Sequence, residues 1–222
     1  CIKVMIPIQY DLTNPNVRNV LAEYDSFILN FKRNLDNAIR RGYIGQKKIK
    51  DEQDLTQYLS EQDIKVLTWI SAHITFIANM DAGIMKRFIQ YMISEWNITN
   101  GTVIHSHIHH FFVKNGYEGK KFPKDALVKA VNIDTCPYCN RNNVGLVNLS
   151  KVENGRDVIK NVKGQLDHFY NKELYPYLAI SRNNLVPSCA TCNEYPNKLS
   201  EDAVATNLVN PYEETNSDSY SE

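Results

Sequence analysis

Residues 164–198 read GQLDHFYNKELYPYLAISRNNLVPSCATCNEYPNK. The stretch opens on an adjacent Asp167-His168 pair. It continues through Asn183-Asn184, with Leu185 after it, to Cys189-Ala-Thr-Cys192, which Asn193 follows directly and Lys198 follows five residues later. Imidazole is the natural general base near neutral pH. Carboxylate and side-chain amide oxygens are what a hard divalent cation takes as ligands. A base for water and a cation at the leaving oxygen are what hydrolysis of a phosphodiester requires. On a strand, neighbouring side chains point to opposite faces, so a bend or loop at Asp167-His168 has to turn both towards one substrate.

A second Cys-x-x-Cys, Cys136-Pro-Tyr-Cys139, lies upstream, and 49 residues separate the two pairs. Each pair can form a turn presenting two thiolates, and two such turns close a tetrahedral four-thiolate zinc site. A closed site has no open position, so this Zn²⁺ is expected to be structural, tying two distant segments together. The rival reading is a thioredoxin-like redox pair. Two pairs, each followed directly by Asn (Asn140, Asn193), favour zinc. Cys1 stands alone and reads as an incidental thiol. Paired cysteines of this kind suit a reducing compartment, so a cytoplasmic location is expected.

These residues need a scaffold, and the pattern before them is helical. Asn14-Pro15 reads as a helix start. Apolar residues at helical spacing run from Val17 to Ile39, and Gly42 closes the run. The other face carries Arg18, Lys32, Arg33, Arg40 and Arg41, read as solvated. A helical run over 54–79, broken near Ser60, contains a nearly all-apolar second half, and His73 within it reads as a satisfied core histidine. Asp81 is set to cap a helix whose stripe is Ile84, Met85, Phe88, Ile89, Met92 and Trp96. His105, His107, His109 and His110 follow. A half-polar helix face accounts for them as well as a metal site does, because no acid or cysteine adjoins them in sequence. Residues 115–122 read as a turn and Pro123 to Val131 as a short helix. From Val144 the period changes to a β-hairpin turning at 153–155.

The expected class is α+β. An all-helical domain over 1–131 serves as scaffold, partner or regulatory surface. A zinc-stapled domain with an extra β-hairpin covers 132–200, and an acidic, partly disordered tail covers 201–222. Cys1 in first place, and a tail unlike a finished domain end, make a longer native protein the expectation.

The order Cys-x-x-Cys, Asp-His, Asn-Leu, Cys-x-x-Cys-Asn and Lys resembles the HNH endonucleases, the ββα-metal or His-Me finger group, over about residues 132–200. It does not extend to the helical part. The resemblance implies that His168 is the general base, that Asp167 and Asn193 hold a catalytic Mg²⁺ or Mn²⁺, and that Asn184 shapes the loop carrying His168. It places Lys198 at phosphate, although Pro196 should break the helix that would present it. Arg141 and Arg182 are further phosphate candidates by proximity. The implied substrate is duplex DNA, nicked or cut with little sequence preference and contacted through its backbone, with RNA left open. The implied setting is bacterial defence against phage or mobile DNA, restrained by a protein partner or self-association through the helical part.

Composition neither demands nor forbids this reading. The chain has 25 basic and 25 acidic residues. The helical segment 1–131 is mildly basic and 132–222 mildly acidic, so charge alone gives no strong nucleic-acid footprint. There is no apolar run long enough to span a membrane, and the N-terminal residues have no signal-peptide core. The alternative function is a non-catalytic zinc-ribbon-like module that binds nucleic acid or protein.

Overall fold

Asn14 caps the first helix by accepting a hydrogen bond from the backbone N–H of Asn16, and Pro15 sits at the first helical position. In the computed structural model this helix, α1 (Pro15–Arg41), buries Val17, Leu21, Tyr24, Ile28, Phe31, Leu35 and Ala38 at steps of three and four. It stops at Gly42, whose φ of 73° is the left-handed cap that glycine adopts without strain. The structure describes residues 6–44, 57–144, 147–153, 156–162, 165–193, 202–206 and 208–213.

Two short strands, β1 (Tyr43–Ile44) and β2 (Gln57–Tyr58), pair antiparallel after α1, so the segment 1–131 is not all helical and the helix expected from 54 begins only after Ser60. Ser60 and Asp63 form a reciprocal capping box that starts α2 (Glu61–Ala72). α3 (Ile74–Asn79) follows, and then α4 (Ala82–Trp96), capped by the Asp81 side chain on the Gly83 N–H. Met85, Phe88, Ile89 and Met92 are buried, as the α4 stripe predicts. His73, read as a core residue, is instead exposed at the junction of α2 and α3. Its ring stacks on Trp69 at 4.2 Å, with Nδ1 2.8 Å from the Trp69 carbonyl. The apolar run does not bury its whole circumference, because the break at His73 turns this side to solvent.

α5 (Val103–Ile108) passes into a π-helix, His109–Tyr117, and α6 (Lys124–Val131) closes the helical part. The turn expected from 115 therefore begins three residues later, since helical backbone continues to Tyr117. At Gly116 an added Cβ would meet Ile180 Cγ2 and Phe31 Cε2, each at 3.1 Å, so glycine permits the close approach of the π-helix to α1. β3 (Val147–Glu153) and β4 (Arg156–Val162) form the expected hairpin, paired from Val147↔Val162 to Glu153↔Arg156. β5 (Gln165–His168) pairs antiparallel with β6 (Leu185–Ser188), and α7 (Ala190–Asn193) follows. The whole is a mixed α and β architecture in which helices predominate and the strands pair two by two.

One hydrophobic cluster joins the helices to the cysteine-bearing segment: Phe31, Ile77, Met85 and Phe112 share it with Tyr177, Ile180, Leu185 and Val186. Polar contacts cross the same boundary. The fully buried Tyr24 hydroxyl lies 2.8 Å from the Ala78 carbonyl and 2.7 Å from that of Ile180. Ser181 Oγ donates to the Ile77 carbonyl (2.7 Å) and Asn183 Nδ2 to that of Met80 (2.9 Å).

The two ends of the described chain meet at β6. Tyr10 stacks on Tyr212 at 5.5 Å, and the Tyr212 hydroxyl donates to the Leu185 carbonyl. Asn210 donates to the Asn183 carbonyl. Part of the segment read as a tail thus packs. Residues 201, 207 and 214–222 of that tail, where part was expected to be disordered, fall outside the described residues. No helix among the described residues is long and apolar enough to cross a membrane.

The Tyr24 hydroxyl offers its one proton to two buried carbonyls, and its loss removes that donor from both. Tyr24→Phe is expected to lower unfolding free energy by about 1–3 kcal/mol, read as a lower urea midpoint with an unchanged slope.

Candidate metal centre and hydrolytic site

The two Cys-x-x-Cys turns come together. Sγ atoms of Cys136, Cys139, Cys189 and Cys192 all lie within 4.8 Å of one another, and the four are free thiols. The first turn is fixed by backbone bonds from the Asn140 N–H to the Cys136 carbonyl and from the Cys136 N–H to the Asn142 carbonyl, each 2.8 Å. Asn140 takes a left-handed φ of 49° that lets the chain reverse. In the second, the N–H groups of Cys192 and Asn193 both donate to the Cys189 carbonyl at 3.0 Å. Zinc–thiolate bonds of about 2.3 Å imply sulfur–sulfur edges of about 3.8 Å in a tetrahedron. The Cys139–Cys189 separation is 3.9 Å. The cluster can therefore hold one metal ion, and its donors and spacing are compatible with structural zinc. Asn142 Nδ2 adds a hydrogen bond to Cys189 Sγ at 3.2 Å.

β5 runs directly past this cluster. Gln165 and Asp167 are two apart on the strand and share a face, whereas His168 faces the other way. Asp167 is 5% exposed, and its Oδ2 accepts a hydrogen bond from the Tyr138 hydroxyl at 2.9 Å. Tyr138 sits inside the first Cys-x-x-Cys, so Asp167 belongs to the cysteine side. Asn193 Nδ2 donates to Gln165 Oε1 at 2.6 Å, which brings α7 against the same face.

His168 packs towards the helical side. Its Nε2 lies 2.9 Å from the Ala179 carbonyl. A carbonyl only accepts, so Nε2 carries the proton and Nδ1 holds the basic lone pair. The Tyr117 ring packs edge-on against the imidazole at 4.3 Å, while its hydroxyl donates to the Leu166 carbonyl at 3.1 Å. Burial pushes the His168 pKa down to about 3 against the opposing Ala179 hydrogen bond, and the charges of Lys172 and Lys124 add to the lowering. The imidazole is therefore neutral at physiological pH.

The chain between β5 and β6 bends back under His168, and Asn184 fixes that bend. Fully buried, it accepts from the Tyr170 N–H (2.7 Å) through Oδ1. Its Nδ2 donates to the carbonyls of Tyr170 and Leu178, each at 3.1 Å. Asn183 instead faces Met80. Since Ala179, which holds His168, directly follows Leu178, Asn184 sets the orientation of the imidazole at one remove.

Of the phosphate candidates, Arg182 is engaged away from His168. The Arg182 guanidinium lies over the Tyr10 ring at 5.2 Å, in the clasp of the chain ends. Arg141 is exposed on the turn after Cys139. Lys198 lies outside the described residues. The histidine run is divided between burial and surface. His105 Nε2 is 3.0 Å from the Glu173 carbonyl, His107 is buried with Nδ1 3.6 Å from Asp63 Oδ2, and His109 pairs with Glu173 at 2.7 Å. Among the described residues, only the four cysteines meet as a metal-holding group.

Sequence reasoning missed Tyr117, Tyr138 and Gln165. Tyr138 was findable as the residue inside the first cysteine pair and Gln165 as the same-face neighbour of Asp167. Tyr117 had no local signal. Comparison with protein-family models, with curated proteins and with solved structures finds no match to this chain.

Two outcomes are expected. Asn184→Ala leaves three buried backbone groups unpaired and should cost roughly 3 kcal/mol or more, read by chemical denaturation. His105, His107, His110 and His168 all have pKa values lowered, by burial first. The unfolded chain then binds more protons than the folded one below about pH 6.5, so stability falls as pH drops through that range. Denaturation midpoints at pH 7, 6 and 5 should decline in order, and His107→Gln should flatten the decline.

Proposed function

We propose that this chain is a metal-dependent endonuclease of the HNH type, hydrolysing phosphodiester bonds of DNA. The observation that carries the reading is the His168 hydrogen bond to the Ala179 carbonyl, which fixes the tautomer with the Nδ1 lone pair as the base. Asp167 and Asn193, linked through Gln165 on one face of β5, offer the oxygen donors a hard dication takes, and they would hold Mg²⁺ or Mn²⁺. That cation would supply stabilisation of charge on the scissile phosphate and its leaving oxygen.

In this reading His168 Nδ1 takes a proton from water as the water oxygen attacks phosphorus. The bond from phosphorus to the bridging oxygen breaks, and that oxygen departs as the leaving group. The Ala179 carbonyl holds the imidazole in one tautomer and stabilises the imidazolium formed. Asn184 keeps Ala179 in place. The four cysteines hold a structural Zn²⁺ that ties the Cys136–Cys139 turn to the Cys189–Cys192 turn at the start of α7 and takes no part in proton transfer. A role in defence, restrained through the helical part, follows from the resemblance and gives a use for a scaffold of this size.

A second reading is favoured by burial. Asp167 and His168 are each only 5% exposed, and Tyr138 already occupies one Asp167 oxygen. A zinc module that binds nucleic acid or protein without cutting would tolerate both.

Plasmid cleavage separates the two. Wild type should convert supercoiled plasmid to nicked or linear form with Mg²⁺ or Mn²⁺ and not with EDTA, and His168→Ala should slow it by about 10²–10⁴-fold. Purified protein should carry about one zinc per chain, lost in Cys136→Ser. Zinc-loaded, folded protein that leaves plasmid intact would sink the nuclease reading in favour of the binding module.

A further inference from the structure

We propose that the lysines from the end of the π-helix to the start of α6, together with Lys172, form a docking surface for the sugar–phosphate backbone of a nucleic acid. The proposal rests on the nuclease reading for its choice of ligand. It gives the helical part, outside the segment that resembles a nuclease, a direct share in substrate capture.

Residues 114–124 read KNGYEGKKFPK and hold four lysines against the single acid Glu118. Lys114, Lys120, Lys121 and Lys124 are all exposed. Lys172 reaches the same place from the loop after His168: its Nζ is 3.1 Å from Glu118 Oε1 and 2.6 Å from Glu173 Oε1. Lys114 Nζ holds the other Glu118 oxygen at 2.9 Å. In a chain of zero net charge, Lys114 and Lys172 thus converge on Glu118, and Lys120, Lys121 and Lys124 follow it closely in sequence, with Asp125 the next acid.

The position matters as much as the charge. Lys124 Nζ lies 4.2 Å from the Tyr117 ring centroid, and that ring is edge-on to His168 at 4.3 Å. One aromatic ring separates Lys124 from the imidazole. A strand seated on these lysines would pass the base that acts on it.

Glu118 fits the arrangement as a placeholder. It spaces Lys114 and Lys172 in the free protein through partly exposed ion pairs, which are weak in water. Phosphate oxygens offer the same lysines charged acceptors in place of Glu118, and binding releases counterions from the nucleic acid. Neither Arg141 nor Arg182, the two described phosphate candidates read from the sequence, is among these five residues. They were sought within residues 132–200, whereas four of these five cations come from before it.

The test is fluorescence anisotropy of the full chain with a labelled DNA duplex, in a His168→Ala background that keeps the duplex intact. Reversing Lys120→Glu and Lys121→Glu should weaken binding at least about tenfold at 0.1 M salt and flatten the log–log salt dependence by about 2. The same charge change on α1, Arg33→Glu with Arg40→Glu, should leave affinity within about twofold. Binding unchanged in the lysine variant, or lost equally in the α1 variant, overturns the proposal. So does polyglutamate displacing the duplex as well as unlabelled duplex does, which would assign the surface to an acidic protein. Lysine-dependent binding by a wild type that never cuts would sink the nuclease reading and leave the surface standing. Cutting with kcat/KM unchanged by the lysine reversal would do the opposite.

Discussion

Four thiols held within 4.8 Å of one another set the terms for the rest of the chain. As thiolates they would repel strongly at that separation, and a bound dication converts the repulsion into attraction. The pairs are 49 residues apart. Closing a loop of that length costs roughly 3.5 kcal/mol of chain entropy beyond a constant. Everything between the pairs, from the hairpin through β5 to β6, is therefore loop in the topological sense. It is held at both ends by one cluster, and a four-residue strand such as β5 could not keep its register alone.

The helical part supplies the other wall. Tyr24, Ser181 and Asn183 bond across from one segment to the other, and the hydrophobic cluster is continuous beneath them. Phe31 of α1 packs edge-on to both Phe111 and Phe112, which fixes the π-helix, and the π-helix ends on the tyrosine that touches His168. The wider turn of a π-helix is an uncommon geometry, often found beside functional sites. Here it carries Gly116 close against Ile180 and delivers Tyr117 one residue later. The scaffold and the imidazole are joined by direct contact.

What the sequence made legible was local. Asn14-Pro15 and Gly42 bounded α1, Asp81 capped α4, and the change to period two announced the hairpin, because each signal lies within a few residues of the structure it causes. The cysteine pairs were legible because metal chemistry restricts their spacing. The clasp of Tyr10 on Tyr212 joins residues at opposite ends of the chain and has no periodic trace. The bond from Tyr138 to Asp167 and the ring of Tyr117 on His168 are of the same kind. His73 failed for a different reason: apolar composition suggested burial, but a six-residue helix starting at Ile74 turned the junction outwards.

β5 divides the site in two. Its alternation sends Asp167 and Gln165 towards the cysteines and Asn193, and sends His168 towards Ala179 and Tyr117. Under the hydrolytic reading the oxygen donors and the base then belong to opposite faces of one strand. A scissile phosphate can meet both only at the end of that strand, where the pleat stops and the chain bends at Phe169. That bend is where Asn184 acts, since its carbonyl accepts from the Phe169 N–H (2.9 Å) while its side chain grips Tyr170. The separation of metal side from base side thus makes a residue that touches neither substrate nor ion decisive for the angle between them.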